Sequence, residues 1–137
     1  MKIRRFNVYE RGLNRFFGPL EARIMNVLWT SSEIAIKDVQ ARLERDQAIN
    51  FNTVMTVMNR LVEKGVLTKR TVGRTSLYRP LLSKEHFMEN QSKELTHELI
   101  EEFGPLVVNH MIEALEEADQ ELLEQLEQKI KSLKKDR

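Results

Sequence analysis

From Pro19 onward the apolar positions Leu20, Ile24, Val27 and Leu28 recur at i, i+4, i+7 and i+8. That is the spacing of one helix face, and it predicts a first helix ending near Trp29, with Pro19 suited to the first turn. After the polar run Thr30-Ser31-Ser32-Glu33, Ile34 and Ala35 fit a stub of strand, and Ile36, Val39 and Leu43 mark a second short helix. Asn50 or Asn52 can cap a third helix running through Lys64, whose inward stripe is Val54, Val57, Met58 and Leu61, and Gly65 closes it as a glycine just past the end. The period then changes. Val66 to Val72 is β-prone, Gly73-Arg74 is a turn signal, and Thr75 to Tyr78 is β-prone again before Pro80 ends the ladder, which together predict a β-hairpin.

Three short helices followed by a hairpin is the order of a winged helix-turn-helix, in which the third helix enters the major groove and the hairpin flanks it. Beyond Ser83 the pattern is helical to the end. Ser83 can cap a helix through Phe103, Pro105 begins another carrying Val108, Met111, Ile112 and Leu115, and Asp119 can cap a last one. In that last helix Leu123, Leu126, Ile130 and Leu133 are spaced 3, 4 and 3, a heptad-like seam too short to stand as an autonomous coiled coil. The seam must dock on a second subunit or on the chain's own helices. Three thin helices with few aromatics make a poor core, which favours a homodimer. The expected fold class is mainly α, with a basic N-terminal arm over residues 1–18, a winged helix-turn-helix over 19–82 and a helical dimerisation segment over 83–137.

The arm mixes Lys2, Arg4, Arg5, Arg11 and Arg15 with Phe6, Tyr9, Phe16 and Phe17. Arg4 and Arg5 could reach a minor groove or lie along phosphates, a frayed terminus being the simpler alternative, and Phe16 and Phe17 are expected to close the base of the domain. Charge sharpens the division of the chain. Residues 1–80 hold 15 Lys/Arg against 7 Asp/Glu, and residues 81–137 hold 7 against 14, so a net charge of +1 conceals halves of +8 and −7. A basic half suits a polyanion such as double-stranded DNA, and an acidic helical half suits self-association held clear of it.

A chain of 137 residues is too short for the large barrel and doubly wound enzyme folds. With 0 Cys, disulfides, thiolate metal sites and cysteine nucleophiles are excluded. No run of about 18 apolar residues and no signal peptide is legible, so a cytoplasmic protein with no membrane span is expected. His86, His97 and His110 stand 11 and 13 residues apart on helices, too far to form one metal site. No GxSxG, phosphate-binding glycine loop or HExxH occurs, and the neighbouring pairs Glu101-Glu102 and Glu116-Glu117 point partly apart around a helix axis. The expectation is a non-enzyme without cofactor or metal.

Burial of the third helix stripe leaves Asn52, Thr53, Met55, Thr56, Asn59 and Arg60 outside. Asn pairs bidentately with adenine, and Thr and Met can meet a thymine methyl, so Asn52, Thr53, Met55 and Thr56 are the candidate base readers. Arg60, Lys69, Arg70 and Arg74 gather on the helix end and hairpin, where they would touch phosphates, with Arg79 nearby; Tyr78 is expected to pack the hairpin onto the helices. Val108, Met111, Ile112, Leu115, Leu123, Leu126 and Ile130 are the candidate dimerisation residues. The alternative function is a winged-helix protein-interaction module that no longer reads DNA, which would want apolar anchors where the third helix offers Met55 alone.

With these elements in place, GPLEARIMNVLW (18–29), NTVMTVMNRLVEKGVLTKR (52–70) and GRTSLYRPLLSKEHF (73–87) resemble the penicillinase-repressor family, bacterial winged-helix regulators that include β-lactamase, methicillin-resistance and copper-responsive repressors. The resemblance runs from about Gly18 to about Leu133. It implies a homodimeric repressor on an inverted-repeat operator with TACA/TGTA-type half-sites, with Asn52, Thr53, Met55 and Thr56 facing the bases. In the β-lactam branch, a sensor system triggers cleavage of an Asn-Phe bond in the dimerisation region, which makes a regulatory protease a candidate partner. Asn109-His110 stands in the corresponding stretch, with His110 in place of the Phe. The cysteine-rich motif of the copper branch is missing, and the inducing signal is unassigned.

Overall fold

The computed structural model describes residues 6–137; Lys2, Arg4 and Arg5 of the arm lie outside the described residues. The described chain forms two compact units, one reaching to Gln91 and the other Ser92–Arg137. The first unit holds α1 (Pro19–Trp29), β1 (Ile34–Ala35), α2 (Ile36–Leu43), α3 (Phe51–Glu63), β2 (Leu67–Val72), β3 (Thr75–Pro80) and the start of α4 (Lys84–Phe103). The three strands form an antiparallel sheet in the order β1-β3-β2, with Ile34 opposite Tyr78 and Lys69 opposite Tyr78 on its other side. This is a winged helix, with the hairpin β2-β3 as its wing.

The core follows the helical stripes. Ile24, Met25 and Leu28 of α1, Val39 and Leu43 of α2, and Val54, Met58 and Leu61 of α3 are buried together with Val66, Leu67 and Tyr78. Gly65 ends α3 in the left-handed region at φ 78°, and the Val66 N–H donates to the Leu61 carbonyl at 3.0 Å while the Gly65 N–H donates to that of Val62. This is a Schellman stop, which delivers the chain from helix to wing within two residues. At the wing tip Gly73 takes φ 62° in a two-residue loop between the paired Val72 and Thr75, the pattern of a type II′ turn.

Two boundaries differ from those the periodicity suggested. Phe16 and Phe17 close the base of the domain as expected of them, but they are core residues that lie N-terminal to the Pro19 boundary. Phe17 stacks on Phe87 at 5.2 Å, Phe16 meets the same ring edge-on at 5.9 Å, and Phe6 packs on Phe16 at 5.6 Å. Phe87 also touches Trp29 at 5.4 Å, so the winged unit continues past Leu82 into the first two turns of α4. The Trp29 indole N–H donates to the Leu82 carbonyl at 2.9 Å and ties down the turn between β3 and α4.

The second unit consists of the rest of α4, α5 (Pro105–Leu115) and α6 (Gln120–Lys135). The Asp119 side chain accepts from the Leu122 N–H at 2.8 Å and starts α6. Neither α5 nor α6 buries a single residue within the chain. Among the described residues no helix is long and apolar enough to cross a membrane.

Candidate nucleic-acid interface

Asn50, not Asn52, caps α3: its Oδ1 accepts from the Asn52 N–H at 2.7 Å. The Asn52 side chain therefore belongs to the first turn of the helix. Asn52, Thr53 and Thr56 are exposed and Met55 is half-buried, while Val54, Val57 and Met58 are sunk in the core. From Asn52 to Asn59 the helix carries no charged side chain. The turn thus presents amide, hydroxyl and methyl groups, the set that reads base edges, without the Lys and Glu usual on a solvated helix face. Phe51, at the first helical position, is 41% exposed beside them and was not among the residues singled out from sequence; a large ring left outside by the start of a helix was the signal available.

Asn59 departs from the expected face. It is half-buried, and its Oδ1 accepts a hydrogen bond from the Tyr78 hydroxyl at 2.9 Å. Tyr78 is 1% exposed, so its phenol satisfies a buried donor while its ring seals the sheet against α3, as expected of it. Lys69, its cross-strand partner, shares this face of the wing: its Nζ stands 5.6 Å from the Tyr78 ring centroid and 3.5 Å from Asn59 Oδ1.

Alternation along the strand puts Arg70 on the opposite face of the sheet, level with Leu77. There its Nε and Nη2 donate to the two carboxylate oxygens of Glu33, each at 2.6 Å. This fork-to-fork pair reaches across β3 from the residue preceding β1. Hydrogen bonding from Arg70 holds the Glu33 carboxyl below its ordinary range, and the same bond raises the guanidinium further. Arg60 and Arg74 are exposed, Arg60 on the last turns of α3 and Arg74 at the wing tip.

The helices that carry this surface are locked by one carboxylate. Glu21, in the first turn of α1, accepts from the Gly18 N–H at 3.2 Å and from Lys64 Nζ, at the C-terminus of α3, at 2.9 Å. Burial alone would raise its pKa, but the bonds from Lys64 and Gly18 and the charges of Lys64 and Arg60 outweigh it and leave the carboxyl below its ordinary value. The pair joins a negative charge at one helix N-terminus to a positive charge at another's C-terminus, each favourable to its helix dipole.

In the second unit Val108, Met111, Ile112 and Ile130 are exposed, and Leu115, Leu123 and Leu126 are half-buried. Leu106 on α5 and Leu122 and Leu133 on α6 are exposed as well. Asn109 and His110 lie on the exposed surface of α5 within regular helix, and His86 and His97 are exposed on α4.

Comparison with known proteins adds the following. A family model described as Penicillinase repressor matches residues 17–132. The penicillinase repressor of Bacillus licheniformis is 28% identical over 100 residues, covering 73% of this chain and 75% of that protein. Among solved structures, that of the DNA-binding domain of the repressor BlaI is 28% identical and covers 50% of this chain and 83% of that one, with a TM-score of 0.46. That of the CopR repressor is 29% identical and covers 57% of this chain and all of its own, with a TM-score of 0.42.

Proposed function

The chain belongs to the penicillinase repressor family and is a DNA-binding transcriptional repressor, not an enzyme; from that premise we propose that it binds an inverted-repeat operator as a homodimer. Each α3 lies in a major groove, the two about 34–36 Å apart, where bound dimers exclude polymerase from the promoter. Asn52, Thr53, Met55 and Thr56 read base edges. Arg60, Lys69 and Arg74 engage phosphates, and Arg70 joins them only by giving up its paired bonds to Glu33. The observation that carries the assignment is the uncharged polar turn of α3, standing clear of the core and flanked by the cations of the wing.

Dimerisation rests on α5 and α6. Their leucine, isoleucine, valine and methionine side chains stay largely exposed in a single chain, an arrangement that a second copy would bury. If a regulatory protease acts at Asn109-His110, α5 must first unwind there, since both residues sit in continuous helix.

Fluorescence-anisotropy titration tests the proposal with an inverted-repeat duplex carrying TACA/TGTA half-sites and a scrambled duplex, each at two salt concentrations. The expected result is a strong preference for the repeat with two chains per duplex. Equal affinity for both duplexes would remove the base-reading assignment for this operator. A stoichiometry of one chain would remove the dimer.

A further inference from the structure

The lower rim of the wing faces the first turns of α2 and α3 across an open groove of about 290 Å³. Lys37 from α2 and Arg74, Thr75 and Ser76 from the wing line it together with the exposed Phe51, which contributes an apolar surface. No carboxylate lines the groove. Three other cations of this unit are held by acids: Lys64 by Glu21, Arg70 by Glu33 and Arg23 by Asp46. Neither Lys37 nor Arg74 has such a partner among the described residues.

We propose that this groove seats one sugar-phosphate unit of the DNA backbone, with Lys37 and Arg74 closing on the phosphate from opposite sides and Phe51 packing against the deoxyribose. The proposal rests on the DNA-binding reading and adds to it a contact from α2 that the recognition turn and the wing do not supply alone. Two cations with hydroxyls and no acid select a phosphodiester anion. An apolar wall beside them suits the sugar face rather than a second charge. The groove opens next to the turn that presents Asn52 and Thr53, so a strand held in it would be placed beside the bases those residues read. Lys37 is then a positioning contact: it carries no sequence information and sets how α3 lies relative to the backbone.

The test uses the full chain and a scrambled duplex, because a phosphate contact is independent of sequence. The salt dependence of binding is measured for the wild type, Lys37→Gln, Lys37→Arg, Arg74→Ala, the Lys37→Gln/Arg74→Ala double variant, and Lys129→Gln on α6 as a control of equal charge change. Lys37→Gln is expected to flatten the slope of log affinity against log salt by about 0.9 per bound chain, which amounts to about eightfold weaker binding at 0.1 M salt relative to 1 M. Lys37→Arg should restore both values. Because the two cations hold one phosphate, the double variant should lose less than the product of the single losses.

An unchanged slope for Lys37→Gln overturns the proposal, as does an equal change for Lys129→Gln, which would trace the effect to net charge. Strictly multiplicative losses would mean two separate phosphates and overturn the shared seat. A wild-type chain that binds neither this duplex nor the inverted repeat would overturn the DNA-binding reading itself, whereas wild-type binding with an indifferent Lys37 overturns the groove alone.

Discussion

Replacing Phe87 with alanine removes a ring packed on three sides: stacked on Phe17 at 5.2 Å with a 17° interplanar angle, edge-on to Phe16 at 5.9 Å, and tilted against Trp29 at 5.4 Å. Its 1% exposure means that the whole side chain is lost from the core. Buried Phe→Ala changes cost about 3–5 kcal/mol, and favourable aromatic pairs add about 0.5–1.5 kcal/mol each beyond area, so the upper part of the range is expected here. At a urea slope of about 1.5 kcal/mol per M, a loss of about 4 kcal/mol lowers the midpoint by about 2–3 M. Trp29 is the only tryptophan and lies beside the lesion, so its emission reports the winged unit and is blind to α5 and α6. Phe87→Leu keeps much of the volume without the ring and should cost about 1.5 kcal/mol, which keeps the comparison measurable if the alanine variant fails to fold. A cost below about 1 kcal/mol for Phe87→Ala would refute the claim that the start of α4 completes the winged core.

Three further outcomes are expected. Glu21→Gln should destabilise the chain by about 1 kcal/mol at pH 7, since a neutral amide replaces a charge-assisted acceptor whose partner is partly exposed. The Glu21 pKa is lowered from 4.5 on folding, so the stability it supplies is complete above that value and is lost as the pH falls through the lower folded value. Melting temperatures of wild type and variant should therefore converge as the pH is taken progressively below 4.5, and a constant gap would refute the pairing. Tyr78→Phe keeps the ring but strands Asn59 Oδ1 with only the longer Lys69 contact, and should cost about 1 kcal/mol in urea titration. In anisotropy, Thr53→Ala should weaken the inverted repeat about fivefold or more while sparing scrambled DNA, whereas Arg74→Ala should weaken both and flatten the salt slope by about 0.9 per chain. Equal losses on both duplexes from Thr53→Ala would remove Thr53 from the base readers.

Local signals carried most of the fold. The stripe Leu20, Ile24, Val27 and Leu28 and the strand-like run around Gly73 are short-range patterns, and the elements they suggest are present as α1 and the wing. Caps were equally legible: Asp119 Oδ1 accepts from the Leu122 N–H at 2.8 Å, Ser83 Oγ accepts from the His86 N–H at 3.2 Å, and Asn50 rather than Asn52 starts α3. The misplaced boundaries have a different cause. Phe16, Phe17 and Phe87 show no period of their own because they form one aromatic cluster from two distant segments, and pattern within a segment carries no information about a partner 70 residues away. The outward assignment of Asn59 went astray for the same reason. Helical spacing put it beside Arg60, but a buried phenol on the wing needed an acceptor, and Asn59 is where that hydroxyl reaches α3.

The cations show how far a charge count can be taken. An excess of +8 over the first 80 residues describes attraction at a distance, which depends on the sum. Contact with DNA depends on which charges are still available once the fold has matched them with acids, and here the neighbours decide. Arg70 spends two N–H groups on Glu33, Lys64 holds Glu21, and Lys69 lies over Tyr78 close to Asn59. Arg74 sits at the wing tip with no acid in reach among the described residues, and Lys37 lines the same groove beside the recognition turn. Two of the cations left without an acid, Lys37 and Arg74, therefore stand at the edge of the surface that carries Asn52 and Thr53. A backbone drawn to that edge brings the bases to the uncharged turn, so affinity and readout are held by different residues placed side by side.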